Sequence, residues 1–304
     1  MKIIYKVESL LSISPKNFIF VFYNIMIKGN SNFVISIDDY CKKKVIKKMA
    51  INDSDLCRLK KQMDKQKMFS HIMLYNDIFK IPVILHSQDN YFLMDYIHNA
   101  KNCINLLEQI TQRQLDWFTN QLISFIEKNI SRSTFYQIDD KIIEKVDDII
   151  LKCNIDKKKY FQYDAKNIII PVGECHGDLT LSNVLVNYDK IYLIDFLDNF
   201  VETPLQDIVK LRQDTKYYWT LDLYEGIIDK NSIRIKLNYM DNLIHSYFSR
   251  YEFYNKHYDI FQTINLLRIV PYIKTEQMLS NILKYIEDIY NERNNTSGKK
   301  NTSQ

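Results

Sequence analysis

The sequence predicts an α+β chain made of two unlike parts, a small antiparallel-sheet part followed by a mostly helical one. Three observations carry this. Short β-prone apolar runs and one amphipathic helix fill the first hundred residues. Beyond about residue 98 the apolar residues recur at helical spacing instead. Inside that helical stretch, residues 184–194 break the period with two strand-like runs around a polar turn. A chain of 304 residues suits one two-lobed domain or two small ones.

Taken in order, 18–27 and 33–37 read as strands joined across Lys28-Gly29-Asn30-Ser31-Asn32, and 44–49 as a third strand. Asn52–Ser70 reads as a helix, with Asp53 or Ser54 as its N-cap and Leu56, Leu59 and Met63 on one face. Ile81–Leu85 and Tyr91–Tyr96 form a hairpin around Ser87-Gln88-Asp89-Asn90. Leu115, Phe118, Leu122 and Phe125 then repeat helically, as do Ile142, Val146, Ile149 and Ile150. Helices resume over roughly 204–213, 232–254, 261–269 and 275–292, and the polar tail 293–304 is expected to be disordered.

Composition excludes several function classes. A net charge of +4 spread over the chain argues against nucleic acid or an acidic membrane surface as partner. Five scattered cysteines without a CxxC pair fit neither a disulfide framework nor a zinc site, so a cytoplasmic setting is expected. No run reaches the roughly 18 apolar residues of a membrane span; Phe18–Ile27 is too short and contains Asn24. Oligomeric state is not encoded in any pattern of the sequence.

Chemistry concentrates in His176-Gly177-Asp178-Leu179-Thr180-Leu181-Ser182-Asn183, followed twelve residues after Asn183 by Asp195-Phe196. Val184-Leu185-Val186 and Ile191-Tyr192-Leu193-Ile194 flank the turn Asn187-Tyr188-Asp189-Lys190 as a hairpin. A turn centred near Asp189 sets Asn183 opposite Asp195, and cross-strand neighbours lie about 5 Å apart. One carboxylate and one amide oxygen then reach a single hard cation; Mg²⁺ favours such oxygen ligands. Asp178 lies five residues before Asn183, in the loop entering the hairpin, where an acceptor hydroxyl approaches.

These residues resemble the catalytic and metal loops of the aminoglycoside phosphotransferase and choline kinase family, small-molecule kinases with a protein-kinase-like fold. The family has His-Gly-Asp where most protein kinases have His-Arg-Asp, and Ile-Asp-Phe in place of Asp-Phe-Gly. The resemblance implies an N-terminal nucleotide-binding lobe over 1–97 and a helical C-terminal lobe over 98–292. It implies that Asp178 orients or deprotonates the acceptor hydroxyl, and that Asn183 and Asp195 hold Mg²⁺ on the phosphates of ATP. His176 and Asp207 would support the catalytic loop, Asp207 by accepting its backbone N–H groups; a helix N-terminal carboxylate explains Asp207 equally well.

The nucleotide side is less sharply drawn. In Lys44-Val45-Ile46-Lys47-Lys48 the family pattern selects Lys47 as the phosphate lysine, with Lys48 as the alternative under a one-residue shift. Gly29, Ser31 and Asn32 stand where a phosphate-covering loop belongs, and an ordinary hairpin turn fits them nearly as well. Backbone groups of Asp95, Tyr96 and Ile97 resemble the hinge that contacts adenine, and an ordinary buried strand fits the same residues. The helix 52–70 lacks the glutamate that pairs with the phosphate lysine; Gln62 or Asp64 falls where such a partner would sit.

The implied activity is transfer of the γ-phosphoryl group of ATP, with Mg²⁺, to a hydroxyl of a small molecule. Aromatic and acidic residues after the metal loop (Tyr217, Tyr218, Trp219, Asp222, Tyr224, Glu225, then 247–258) suit an amino alcohol or a sugar, and core packing explains most of them equally well. The surroundings of the motif resemble family members from bacterial surface-polysaccharide metabolism, which favours these acceptors over an aminoglycoside. The alternative is a catalytically silent kinase-like nucleotide-binding module, suggested by the missing glutamate. A protein kinase is disfavoured, because 197–204 is too short for an activation segment.

Overall fold

The structure is a computed structural model that describes residues 26–28, 33–153, 156–273 and 275–300. Gly29, Ser31 and Asn32 lie outside the described residues, as does most of the expected strand 18–27. The chain forms two compact units. The first comprises Met1–Leu106, Ser182–Asp198 and Leu223–Ile228; the second comprises Leu107–Leu181, Asn199–Asp222 and Asp229–Gln304.

In chain order the first segment carries β1 (Met26–Lys28), β2 (Phe33–Tyr40), β3 (Lys43–Ala50), α1 (Leu56–Ile72), β4 (Phe79–Lys80), β5 (Ile84–Gln88), β6 (Tyr91–Asp95), β7 (Lys101–Asn102) and α2 (Cys103–Gln109). Five of these strands form an antiparallel sheet in the order β1-β2-β3-β6-β5. The β2–β3 turn is a two-residue one, with Cys41 and Lys42 both at positive φ (51° and 64°). That geometry matches the right-handed twist of the strands it joins. Alternation along β3 sends Ile46 and Ala50 to the face covered by α1, where Phe33, Leu59, Phe92 and Met94 complete a core. Leu56 and Met63 pack on that core too, so the apolar face expected for the helix is the face it buries.

The first unit has a second sheet, ordered β4-β11-β10-β7, in which β10 (Val184–Asn187) and β11 (Lys190–Leu193) are the two strands of the predicted hairpin. β4 pairs in parallel with β11, and β7 pairs antiparallel with β10. The hairpin is therefore stitched to β4 and β7, two short strands from much earlier in the chain.

The second unit is built from α3 (Gln112–Ser131), β8 (Thr134–Gln137), α4 (Asp139–Cys153), α5 (Lys157–Tyr160), β9 (Ile169–Val172), α6 (Pro204–Thr215), α7 (Trp219–Asp222), α8 (Lys230–Phe248), α9 (Glu252–Ile269) and α10 (Glu276–Lys300). A capping box starts α3: the Thr111 hydroxyl accepts from Gln114 N–H while the Gln114 side chain accepts from Thr111 N–H. The stretch expected as one helix over 232–254 is instead divided between α8 and α9. The break falls at Ser249–Tyr251, where the Ser249 hydroxyl donates back to the His245 carbonyl (2.6 Å) and Tyr251 turns to extended backbone. The polar tail expected to be disordered from residue 293 continues α10 as far as Lys300.

All twelve residues of α6 are buried, including Asp207, Lys210, Arg212 and Asp214. Thr203 caps this helix and Pro204 opens it, the residue whose missing N–H costs nothing there. Four charged side chains on a fully buried helix require partners. Among the described residues no helix is long and apolar enough to cross a membrane.

Candidate active site

In the first unit, β10 and β11 pair Val184 with Leu193 and Asn187 with Lys190, around the two-residue turn Tyr188-Asp189. The centre falls half a residue before Asp189, so Asn183 faces Ile194, whose N–H donates to the Asn183 carbonyl (3.1 Å). Asp195 stands one residue beyond the position the sequence suggests. Its backbone is left-handed (φ 61°), a conformation that aspartate tolerates better than most residues. The next residue, Phe196, is fully buried and stacks on Phe69 of α1 with ring centroids 4.8 Å apart. Lys65 of α1 donates to the Leu197 carbonyl (2.7 Å), and Lys61 pairs with Asp198 (3.1 Å). One face of α1 thus holds the segment from Asp195 to Asp198.

Lys48, rather than Lys47, meets Asp195. Its ammonium lies 2.8 Å from Asp195 Oδ1, over a sequence separation of 147 residues, and the residue is 3% exposed. Lys47 points to the other face of β3, with its ammonium 4.3 Å from the centre of the Tyr91 ring. The cause is the period of two along a strand. Lys48 shares the face of Ile46 and Ala50, which α1 covers, whereas Lys47 shares that of Val45.

Of the two candidate partners on α1, Asp64 is exposed and Gln62 is buried. Gln62 belongs to the buried stripe Leu59, Gln62, Gln66, Phe69, and its Oε1 has no hydrogen-bond partner among the described residues. Gln66 spends its Nε2 on the Pro82 carbonyl (2.8 Å). At the expected hinge, β6 extends through Asp95, whose N–H donates to the Val83 carbonyl (3.0 Å). The Asp95 carboxylate accepts the Val83 N–H in return (3.2 Å), so both its N–H and its side chain are engaged within the sheet. Tyr96 and Ile97 follow the end of the strand, half-buried.

In the second unit, the loop bearing Asp178 is held by one face of α6. Asp207 accepts the N–H groups of His176 and Gly177, both at 2.7 Å. Lys210, one turn on, lies 3.1 Å from Asp178 Oδ1. Asp214, a further turn on, accepts the N–H of Leu181, and also the N–H and hydroxyl of Thr220 (2.8 and 2.9 Å). Positions i, i+3 and i+7 of a helix share one face, so two turns of α6 grip six residues of loop at three points. Gly177 has φ 88°, where a side chain is strained, and its carbonyl accepts from Asn199 Nδ2 (3.0 Å). His176 is buried and its Nδ1 accepts the Asp178 N–H (3.2 Å). Lys210 and Asp214 belong to no motif in the sequence; the available signal is a helix with charges on two opposite faces.

The electrostatics divide these carboxylates. Burial pushes Asp178 up, but Lys210, His176 and Arg268 outweigh it and hold the carboxyl below its usual range. Burial lowers Lys210, and Asp178 opposes that. Asp214 is pushed up to about 6 by burial, against the donors from Leu181 and Thr220. Asp178 is thus an ionised carboxylate whose side chain remains 28% accessible, beside a lysine only 9% accessible.

Most aromatic residues nominated as acceptor contacts are engaged within the second unit. Arg250 lies 3.6 Å above the Tyr247 ring and pairs with Glu127 (2.7 Å). Arg212 is bidentate on Asp241 (2.9 and 2.8 Å), donates to Tyr254 (2.6 Å) and covers the Tyr258 ring. Asp222 pairs with Arg234 (3.1 Å). Trp219 is half-buried, and Tyr217 is buried with its hydroxyl unpartnered among the described residues. The Arg212 network borders a cavity of about 270 Å³ that Lys216, His245 and Asp259 also line. Arg212 leaves α6 on the side opposite Asp207, Lys210 and Asp214, so this cavity is separate from the catalytic loop.

No protein-family model and no curated protein matches the chain. Solved structures do match. A thermostable mutant of aminoglycoside phosphotransferase APH(4)-Ia in its apo form superposes with a TM-score of 0.56 at 10% identity, over 88% of this chain and 94% of that one. Choline kinase from Cryptosporidium parvum Iowa II gives 0.52 at 13% identity over 90% of each chain. ADP-bound aminoglycoside phosphotransferase APH(2'')-Ib gives 0.50 at 14% identity, over 87% of this chain and 91% of that one. The chain therefore has the α+β, protein-kinase-like fold of these phosphotransferases and choline kinases.

Proposed function

We propose that this protein is a small-molecule kinase that moves the γ-phosphoryl group of ATP to a hydroxyl. The observation that carries the reading is the Lys48–Asp195 contact of 2.8 Å. A buried lysine drawn from a sheet strand onto the aspartate after the hairpin has no use in the core, where an apolar pair would serve at least as well.

Asn183 and Asp195 offer one carboxamide and one carboxylate oxygen, and among the described residues no cluster of three or more His, Cys, Asp or Glu forms a closed metal cage. That donor set fits Mg²⁺, which commonly takes one or two protein oxygens and fills the rest with water and phosphate. The cation already resting on Asp195 is the ammonium of Lys48, so the position is one that attracts positive charge. When bound there, Mg²⁺ neutralises the phosphate oxygens as charge shifts between them. Lys48 contributes a second positive charge to the phosphates. Asp178, ionised at neutral pH, accepts the hydrogen bond of the acceptor hydroxyl, aims its oxygen and takes up its proton as the new O–P bond forms and the bond from the γ-phosphorus to the β,γ-bridging oxygen breaks, releasing ADP. The chemistry asks of the protein mainly positioning and electrostatics.

For the acceptor, a sugar or an amino alcohol remains the preferred class, with a place in surface-polysaccharide metabolism; an aminoglycoside is less favoured. The nucleotide contacts we assign are Lys48 in place of Lys47, the loop Gly29, Ser31 and Asn32, and main-chain groups at Asp95, Tyr96 and Ile97. The silent-module reading is supported by the absence of an acid at Gln62. An ATP-consumption screen with Mg²⁺ over choline, ethanolamine, simple sugars and aminoglycosides tests both. Acceptor-dependent turnover that Asp178→Asn abolishes is the expected result. Nucleotide binding with no turnover for any acceptor favours the silent module.

A further inference from the structure

We propose that Lys210 is a positioning residue for phosphoryl transfer, fixing Asp178 through one carboxylate oxygen so that the acceptor is met in a single orientation. The inference rests on the kinase reading above and adds a residue to its site. Four observations from the second unit support it. The Lys210 ammonium lies 3.1 Å from Asp178 Oδ1, an ion pair at ordinary N–H···O hydrogen-bond distance. Lys210 is itself held from behind, because its ammonium also reaches Gln213 Oε1 (3.4 Å), which accepts from Asn265 Nδ2 (2.6 Å). Its stem is a rung between Asp207 and Asp214, the two residues that bind the backbone on either side of Asp178. Lastly, a lysine is costly to bury, and α6 needs no cation at this position to close its own backbone bonds.

The arrangement divides labour. Asp207 and Asp214 fix where the loop runs, and Lys210 fixes how its one reactive side chain is turned. A carboxylate otherwise rotates about its terminal torsion, which is broad and two-fold. Tying one oxygen to a buried ammonium removes that freedom before the acceptor arrives, the kind of pre-organisation on which in-line transfer depends.

Several charged groups face Asp178: Lys210 and Asp214 from α6, Arg268 from α9 and His176 from its own loop. Of these, Lys210 is placed 3.1 Å from Asp178 Oδ1. Its removal leaves the half-buried Asp178 with weaker compensation, so the carboxyl titrates at higher pH.

The test compares wild type with Lys210→Met, Lys210→Gln and Lys210→Arg in the full chain, using Mg-ATP and the acceptor found in the screen. Thermal unfolding checks the fold of each. The two neutral variants should lose about a hundredfold in kcat, with KM for ATP within about twofold, since Lys210 does not touch nucleotide in this assignment. The acidic limb of the kcat profile should move up by about one pH unit or more, in step with the ¹³C carboxyl titration of Asp178, assigned with Asp178→Asn. Lys210→Arg should restore much of both. Folded Lys210→Met or Lys210→Gln with wild-type kcat and an unmoved acidic limb overturns the proposal and leaves the kinase reading intact. Wild type that turns over Mg-ATP with no acceptor, while the Asp178 titration still moves in Lys210→Met, overturns the kinase reading and reduces the pair to a structural ion pair. If both neutral variants unfold, the carboxyl titration and kcat profile of Lys210→Arg decide: a wild-type profile supports the assignment, and a lost one overturns it.

Discussion

Replacing Asp207 by leucine should cost more stability than an ordinary buried-polar substitution. Both carboxylate oxygens of Asp207 are in use, each accepting a backbone N–H at 2.7 Å, and the residue is fully buried. Leucine has a similar shape and accepts nothing, so the N–H groups of His176 and Gly177 are orphaned together. Each orphaned buried donor costs about 1–3 kcal/mol, which makes the pair worth about 4 kcal/mol, a large share of the roughly 5–15 kcal/mol that holds a domain folded. For a unit of 150–250 residues this corresponds to a fall of about 8–16 °C in Tm. Asp207→Asn retains one acceptor oxygen and should fall by about half as much. Differential scanning calorimetry of the three proteins measures both differences. The reasoning fails if the leucine variant melts within about 2 °C of wild type, or if asparagine and leucine cost the same. Turnover should drop in both variants, because the loop that carries Asp178 loses its main anchor.

Two further outcomes follow from the described contacts. Asp214 has a folded-state value of about 6 against an ordinary 3.8, so the native state binds its proton more tightly than the unfolded chain does. Stability from this residue is full below about pH 4, is lost as pH rises through about 6, and stays lost above. At 1.36 kcal/mol per unit, the difference amounts to roughly 2–3 kcal/mol between pH 4 and 7. Asp214→Asn should therefore gain on wild type by that amount across the range, and parallel Tm-against-pH curves would sink the idea. On the nucleotide side, Lys48→Met should lower kcat/KM for ATP by about a hundredfold or more, while Lys47→Met, whose ammonium only covers Tyr91, should stay within about threefold. Steady-state kinetics with reversed ranking would restore Lys47 as the phosphate lysine.

What was legible in the sequence was what has a local signature. The hairpin of β10 and β11 could be read because two β-prone runs flank a polar turn, and α3 because its apolar residues recur helically beyond Thr111. The loop 176–183 stood out by residue type and spacing, and the structure ties its backbone to Asp207. The features that escaped depend on distant chain segments. Strands β4 and β7 are two residues long and exist only because the hairpin offers them edges. The choice between Lys47 and Lys48 turns on which face of β3 receives α1, and either assignment satisfies the alternation. The division of 232–254 at Ser249 has no glycine or proline to mark it. Lys210 and Asp214 look like ordinary helix-surface charges until the helix is known to be buried, and their partners lie about thirty residues earlier in the chain.

The three-point grip of α6 also sets which genetic changes this chain can absorb. Each residue of a helix advances it by 1.5 Å and turns it by about 100°. Deleting or inserting one residue between Asp207 and Asp214 would swing one of those carboxylates roughly a quarter-turn away from the loop it binds. Substitutions on the Arg212 side of the helix leave the register untouched. Length variation among sequences descended from a common ancestor should then stop short of this eight-residue window, even where the amino acids within it change.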